Sequence, residues 1–155
     1  MLGPLTNPAN PGFQSVGVFS LEMTRLYAYL MQKTNRNYTI IHALDGYDEI
    51  SLTGDFKTID NQGEHYHSLD SLGMNRLHPS AIAGGDTVEE AATIFTHILN
   101  GEGTDEQNQV VLKNAAFAIQ TMKPQKTFST CYAEAQDSLK GKYALESFRK
   151  LLQVN

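Results

Sequence analysis

The chain is 155 residues long and 41% hydrophobic, with 12 Lys and Arg against 17 Asp and Glu for a net charge of −5. That suits one domain with a real core, and the scattered basic residues exclude a duplex-binding surface. The apolar runs are too short for a membrane span, the N-terminus lacks a signal peptide's basic and apolar regions, and the single cysteine, Cys131, permits no intrachain disulfide, so a soluble cytoplasmic protein is expected, with no nucleic acid and no membrane among its partners.

The first element in chain order is a loop. LGPLTNPANPGF at residues 2–13 carries Pro4, Pro8 and Pro11 among Gly3, Asn7, Asn10 and Gly12. Each proline fixes φ near −65° and removes a donor, and each residue before one is pushed out of the α region, so neither helix nor central strand forms here. Termini are normally the least ordered part of a domain, and a loop is worth stiffening where something it touches uses its shape. The stretch therefore reads as the interior of something longer.

Two short β-branched runs follow, QSVGVF at 14–19 and YTIIHA at 38–43, and both read as buried strands. Ser20 is placed to cap the helix between them, whose Met23, Leu26, Tyr27 and Leu30 form one apolar stripe. Strand, helix, strand over some thirty residues is a βαβ unit with parallel strands. From 49 to 68 strand character returns: Ile50 and Leu52 alternate with Ser51 and Thr53, and Gly54-Asp55 and Asn61-Gln62-Gly63 offer turns. An antiparallel meander is expected.

Beyond Thr87 the chain reads as helical. Thr87 and Glu90 make a capping-box pattern ahead of Ala91, Ile94, Phe95, Ile98 and Leu99, and Gly101 and Gly103 end the helix. Thr104 and Gln107 repeat the device before VVLKNAAFAIQTM at 110–122, apolar almost all round and so predicted to be the buried helix. A fourth helix carries Phe128, Cys131, Tyr132, Ala135 and Leu139, and a fifth, after Gly141, carries Leu145, Phe148 and Leu152. The fold class is α/β: a parallel βαβ start, an antiparallel meander and a helical C-terminal half, with three or four helices packed on the sheet.

LDGYDEIS at 44–51 is the leading candidate for chemistry. Asp45, Asp48 and Glu49 lie in a Gly-containing turn after the second strand, and open α/β sheets bind ligands outside such carboxyl ends. Adjacent carboxylates suit Mg²⁺ completed by substrate phosphates and suit no soft metal. Acidic residues also populate turns simply to hydrogen-bond nearby backbone, so the residues alone leave both readings open. Three weaker features accompany them. His65 and His67 flank Tyr66 on one strand face, could meet a metal but lack a third ligand, and read rather as an exposed face; Gly84-Gly85-Asp86 precedes a helix N-terminus that favours anions but is more often an entry turn; and Cys131 sits on an apolar stripe as core packing.

LGPLTNPANP, VGVFSLEMTRLYA, DGYDEISLTG, AGGDTVEEAATIF, VVLKNAAFAI and GKYALESFRKLL, in that order and spacing, resemble successive blocks of the anthranilate phosphoribosyltransferase family. The likeness covers essentially the whole chain, 1–155, as the C-terminal portion of a nucleoside phosphorylase/phosphoribosyltransferase-type catalytic domain. It implies Mg²⁺-assisted joining of anthranilate to 5-phosphoribosyl 1-diphosphate with release of diphosphate, in tryptophan biosynthesis. Asp48 and Glu49 match the family's Mg²⁺ carboxylates, and Gly3, Pro4 and Asn7 match its loop near the anthranilate site. No residue matches a general base or nucleophile. The family's N-terminal helical domain, its glycine-rich diphosphate loop and its anthranilate-contacting arginine have no counterpart here, and Glu90 stands where the family usually has asparagine. The resemblance thus implies half of an active site, inactive alone, with a separate N-terminal half as a possible partner. A non-enzymatic module binding a phosphate ligand or a partner, and a relative acting on another base, are the alternatives.

Overall fold

A computed structural model describes residues 3–154, so Leu2 of the proline loop lies outside the described residues. Strands β1 (Phe13–Gly17) and β2 (Asn37–Ala43) pair in parallel with Val16 opposite Ile40, and helix α1 (Leu21–Met31) crosses between them. β3 (Phe56–Asp60) runs antiparallel to β2, and β4 (Glu64–His67) antiparallel to β3, so the sheet order is β1-β2-β3-β4. The expected parallel start and meander are both present.

Alternation along β2 divides the core. Tyr38 and Ile40 join Val16 and Ile59 against Tyr27 and Met31 of α1, while Ile41 and Ala43 join Phe56 on the opposite face. Burial on both sides explains why YTIIHA reads as an almost unbroken apolar run. Ser20 caps α1, its Oγ accepting the Met23 N–H at 3.2 Å. The buried face of α1 is Thr24, Tyr27, Ala28 and Met31, one position round from the predicted stripe, and Leu26 is 50% exposed. Thr24 can be buried because its hydroxyl donates to the Ser20 carbonyl at 2.9 Å.

Residues 50–53 are not a strand. Ile50, Ser51, Leu52 and Thr53 are all buried, and Leu52 has φ of 61° in the left-handed region, which ends any extended run. Their alternation comes from a buried loop whose hydroxyls bond internally.

Rather than three or four helices packing on the sheet, α3 (Asp105–Met122) lies on β1 and β2 and the rest of the helical half builds outward from it, because each further helix finds its apolar partner on the helix beneath it. α4 (Phe128–Lys140) packs on α3, α5 (Tyr143–Leu152) on α4, and α2 (Val88–Asn100) on α5. Both capping boxes form as predicted, at Thr87 with Glu90 and at Thr104 with Gln107. α3 starts at that second box, ahead of its apolar run. Cys131, Ala135 and Leu139 are buried on α4 as expected. The outer pair departs from expectation: no residue of α2 is buried, and Phe95 meets Phe148 edge-on at 4.9 Å. Leu152, predicted on the buried stripe of α5, is 66% exposed. No described helix is long and apolar enough to cross a membrane.

Candidate functional site

The acidic loop leaves the carboxyl end of β2 and is closed tightly on itself. Gly46, at φ of 102°, allows the turn; its N–H donates to the Ala43 carbonyl at 3.0 Å, and the Ala43 N–H donates to the Tyr47 carbonyl at 3.0 Å. Residues 44–49 are exposed and Ile50 is fully buried, so the loop presents its side chains from a fixed base. Asp45 is spent inside that base. One of its carboxylate oxygens accepts from the Thr53 hydroxyl, and the other lies 3.5 Å from the Ser51 hydroxyl. Arg76 reinforces the far side, donating to the Thr53 carbonyl at 2.8 Å and to Asp55 at 3.3 Å.

That leaves Asp48 and Glu49 facing solvent side by side. Partial burial of the Glu49 carboxyl, and after it the charge of Asp48, push Glu49 above the usual carboxylate range, since both disfavour its charged form. Two carboxylates with no soft or imidazole donor fit a hard cation such as Mg²⁺ that takes one or two carboxylates and fills its shell with phosphate oxygens and water. They do not fit a closed protein cage: among the described residues no group of three His, Cys, Asp or Glu could hold a metal ion.

Gly17 sets the loop's position from the front. A Cβ built there would stand 1.6 Å from the Asp48 carbonyl oxygen and 2.7 Å from its carbon. A glycine within a strand often marks such a close backbone approach. The signal is present in VGVF and is legible only once the loop is placed against it.

The proline loop is anchored at the other end of β1. Gln14 donates to the Pro4 carbonyl, and Arg36 donates to Asn10 and, at 3.0 Å, to Gln14. Gly3 and Pro4 lie in one 3₁₀ turn, and the Asn7 carboxamide accepts the Ala9 N–H at 2.9 Å. Gln14 and Gly17, the two anchor points, are about 10 Å apart along the strand. Gly3, Pro4 and Asn7 thus form one group and Asp48 and Glu49 another.

The weaker candidates resolve structurally. Backbone N–H groups of Asp86 and Thr87, which would greet an anion before α2, donate instead to the Glu90 carboxylate at 2.7 and 3.2 Å. Cys131 is fully buried, and burial raises its thiol pKa. His65 and His67 share a strand face as expected, but they line an open cleft of about 400 Å³ against α3 rather than a freely exposed surface. His67 stacks on Phe56 at 4.6 Å and bonds Thr58 at 2.8 Å. Its burial first, and His65 second, lower the imidazole pKa. The unfolded chain then binds the proton more readily than the folded one. His67's contribution is therefore complete above about pH 6.5 and is lost as pH falls through the lower folded value. A His67→Phe variant should keep the stack and show a smaller drop in Tm between pH 7.5 and 5.5 than the wild type; equal drops would remove His67 from the acid response.

A parallel βαβ start with paired carboxylates after a strand's carboxyl end, backed by a helical layer, defines an open α/β domain, a class in which ligands sit outside the strand ends. Residues 1–145 match the Glycosyl transferase family, a/b domain, and the chain belongs to that family. It is 51% identical over its whole length to an anthranilate phosphoribosyltransferase of Christiangramia forsetii, covering 46% of that protein, and 43% identical to one of Bacteroides thetaiotaomicron, covering 47%. The chain thus spans about half the length of the curated relatives it matches. Among solved structures it resembles the anthranilate phosphoribosyltransferase of Thermus thermophilus (25% identity, TM-score 0.83, 96% of this chain and 45% of that one). It also shares its fold with the Saccharomyces cerevisiae enzyme in complex with PRPP and Mg (21% identity, TM-score 0.83, 96% and 43%).

Proposed function

We propose that the chain supplies the carboxylate-bearing portion of an anthranilate phosphoribosyltransferase active site. The reaction is transfer of the 5-phosphoribosyl group from its 1-diphosphate to the anthranilate amine, within tryptophan biosynthesis. The observation that carries this reading is the exposure of Asp48 and Glu49, side by side, on a loop whose base is buried and whose third carboxylate, Asp45, is committed to holding it. The Christiangramia forsetii and Bacteroides thetaiotaomicron relatives bear this activity in their names, and the yeast structure holds PRPP and Mg.

Asp48 and Glu49 hold Mg²⁺ in this reading. When bound, the cation neutralises charge on the departing diphosphate. The chain's own residues bind and orient: the closed acidic loop fixes where the donor's phosphates dock, and Gly3, Pro4 and Asn7 wall the anthranilate end. In the displacement the amine nitrogen bonds to the ribosyl anomeric carbon, the bond from that carbon to diphosphate oxygen breaks with its electron pair leaving on diphosphate, and the nitrogen then loses its proton to solvent water. No side chain here is assigned as base or nucleophile, as befits a reaction resting on positioning and electrostatics.

The chain spans about half the length of its relatives, and in this reading the diphosphate cradle and the anthranilate arginine that the family resemblance implies come from the other half, so these 155 residues are not expected to turn over by themselves. The test is genetic. A bacterial strain lacking the transferase, and given only the N-terminal half of the Christiangramia forsetii relative, should grow without tryptophan once this chain is co-expressed and not otherwise. No growth although both halves accumulate in soluble form would contradict the proposal.

A further inference from the structure

Asn114 breaks the apolar run of α3, and its side chain reaches a residue 64 positions away. Its carboxamide oxygen accepts the Ile50 N–H at 3.0 Å, and its nitrogen donates to the Ile50 carbonyl at 2.9 Å and to the Val110 carbonyl at 2.9 Å. A primary amide carries donor and acceptor side by side, as the backbone does, so the pair acts as one rung of a sheet ladder between helix and loop. Ile50 itself is fully buried and packs in one cluster with Phe117, on the next turn of the same helix. Backbone and side chain of one residue are thus both fixed by α3.

Ile50 directly follows Asp48 and Glu49. With Gly17 against the Asp48 carbonyl on one side and Asn114 on Ile50 on the other, the two carboxylates are carried on a backbone clamped at both ends. Two residues on, Leu52 is buried at φ of 61°, a region in which a leucine persists only where its surroundings over-determine it.

We propose that Asn114 is a positioning residue for the acidic pair, holding the Ile50 backbone so that Asp48 and Glu49 point together at one cation. This rests on the reading of those two carboxylates as cation ligands. Groups that orient metal ligands from behind typically contribute about 10- to 100-fold in affinity.

The test uses the full chain, with Mn²⁺ titrated against the backbone amides of residues 46–50 and affinity read from paramagnetic broadening. Exchange of the Ile50 N–H is followed separately without metal. Asn114→Leu should speed that exchange and weaken Mn²⁺ about tenfold. In an Asp48→Asn, Glu49→Gln background the same substitution should leave the residual affinity unchanged. Asn114→Gln carries the same amide one methylene further out and should recover part of the affinity; it also serves as the probe should the leucine variant not fold. Unchanged Mn²⁺ affinity despite faster Ile50 exchange would overturn the proposal and leave the acidic pair's role standing. A loss that persists without the two carboxylates would make Asn114 merely structural and overturn it too. Equal Mn²⁺ binding by wild type and the Asp48→Asn, Glu49→Gln variant would overturn the reading of the site itself.

Discussion

Gly17→Ala is expected to cost about 3 kcal/mol of stability, at the upper end of what overpacking a filled site imposes. The added methyl group would stand 1.6 Å from the Asp48 carbonyl oxygen, and that neighbour is backbone, so it cannot rotate away. Either the acidic loop lifts, breaking the Ala43–Tyr47 bond, or β1 withdraws, breaking the 2.9 Å bond from the Val18 N–H to the Ile41 carbonyl. Urea denaturation should show a lower midpoint at constant slope. Gly12→Ala is the matched comparison: a methyl group there meets nothing within 4 Å, and the change should stay within about 0.5 kcal/mol. Equal midpoints for the two variants would mean that the loop does not rest on Gly17.

The second large effect is on activity rather than stability. With the N-terminal half supplied, Asp48→Asn combined with Glu49→Gln should lower phosphoribosyl transfer by about 100-fold or more, equivalent to about 2.7 kcal/mol of transition-state stabilisation. The fold should not suffer. Glu49's raised pKa means that the folded protein binds its proton more readily than the unfolded chain. Its favourable contribution is present at acid pH and is lost as pH rises through the folded value. At neutral pH the ionised Glu49 is therefore a cost, and the double variant should melt no lower than the wild type. A large drop in Tm with activity retained would assign the two carboxylates to structure.

Local rules carried the sequence reading wherever one element answers to its own residues. The cap at Ser20, the boxes at Thr87 and Thr104, the parallel pair and the burial of Cys131 all follow from spacing and side-chain chemistry within a few positions. What escaped depends on distant partners. Ile50 to Thr53 imitate a strand because Ser51 and Thr53, polar in the pattern, are buried against Asp45. The stripe of α1 slipped one position because Thr24 can be buried once Ser20 accepts its hydroxyl. Leu152 stays exposed and the apolar face of α2 is only half-buried, through Ile94, Ile98 and Leu99, because the elements that carry them pack at the margin of the helical layer. In the candidate site, Asp48 and Glu49 stand out as types, whereas Gly17 and Asn114, which meet the Asp48 carbonyl and the Ile50 backbone, acquire meaning only when a loop some 30 and 64 residues away is laid against them.

If this chain brings the carboxylate half of a phosphoribosyltransferase site, its activity must depend on both the other half and the acidic pair. The most direct measurement is the initial rate of anthranilate consumption, followed by its fluorescence, with 5-phosphoribosyl 1-diphosphate and Mg²⁺ present. It is made for this chain, for the N-terminal half of the Christiangramia forsetii relative, and for the two together. Neither half should turn over alone, and the mixture should show a saturable, Mg²⁺-dependent rate that disappears with Asp48→Asn, Glu49→Gln. Turnover by this chain alone, or an undiminished rate with the double variant, would contradict that dependence.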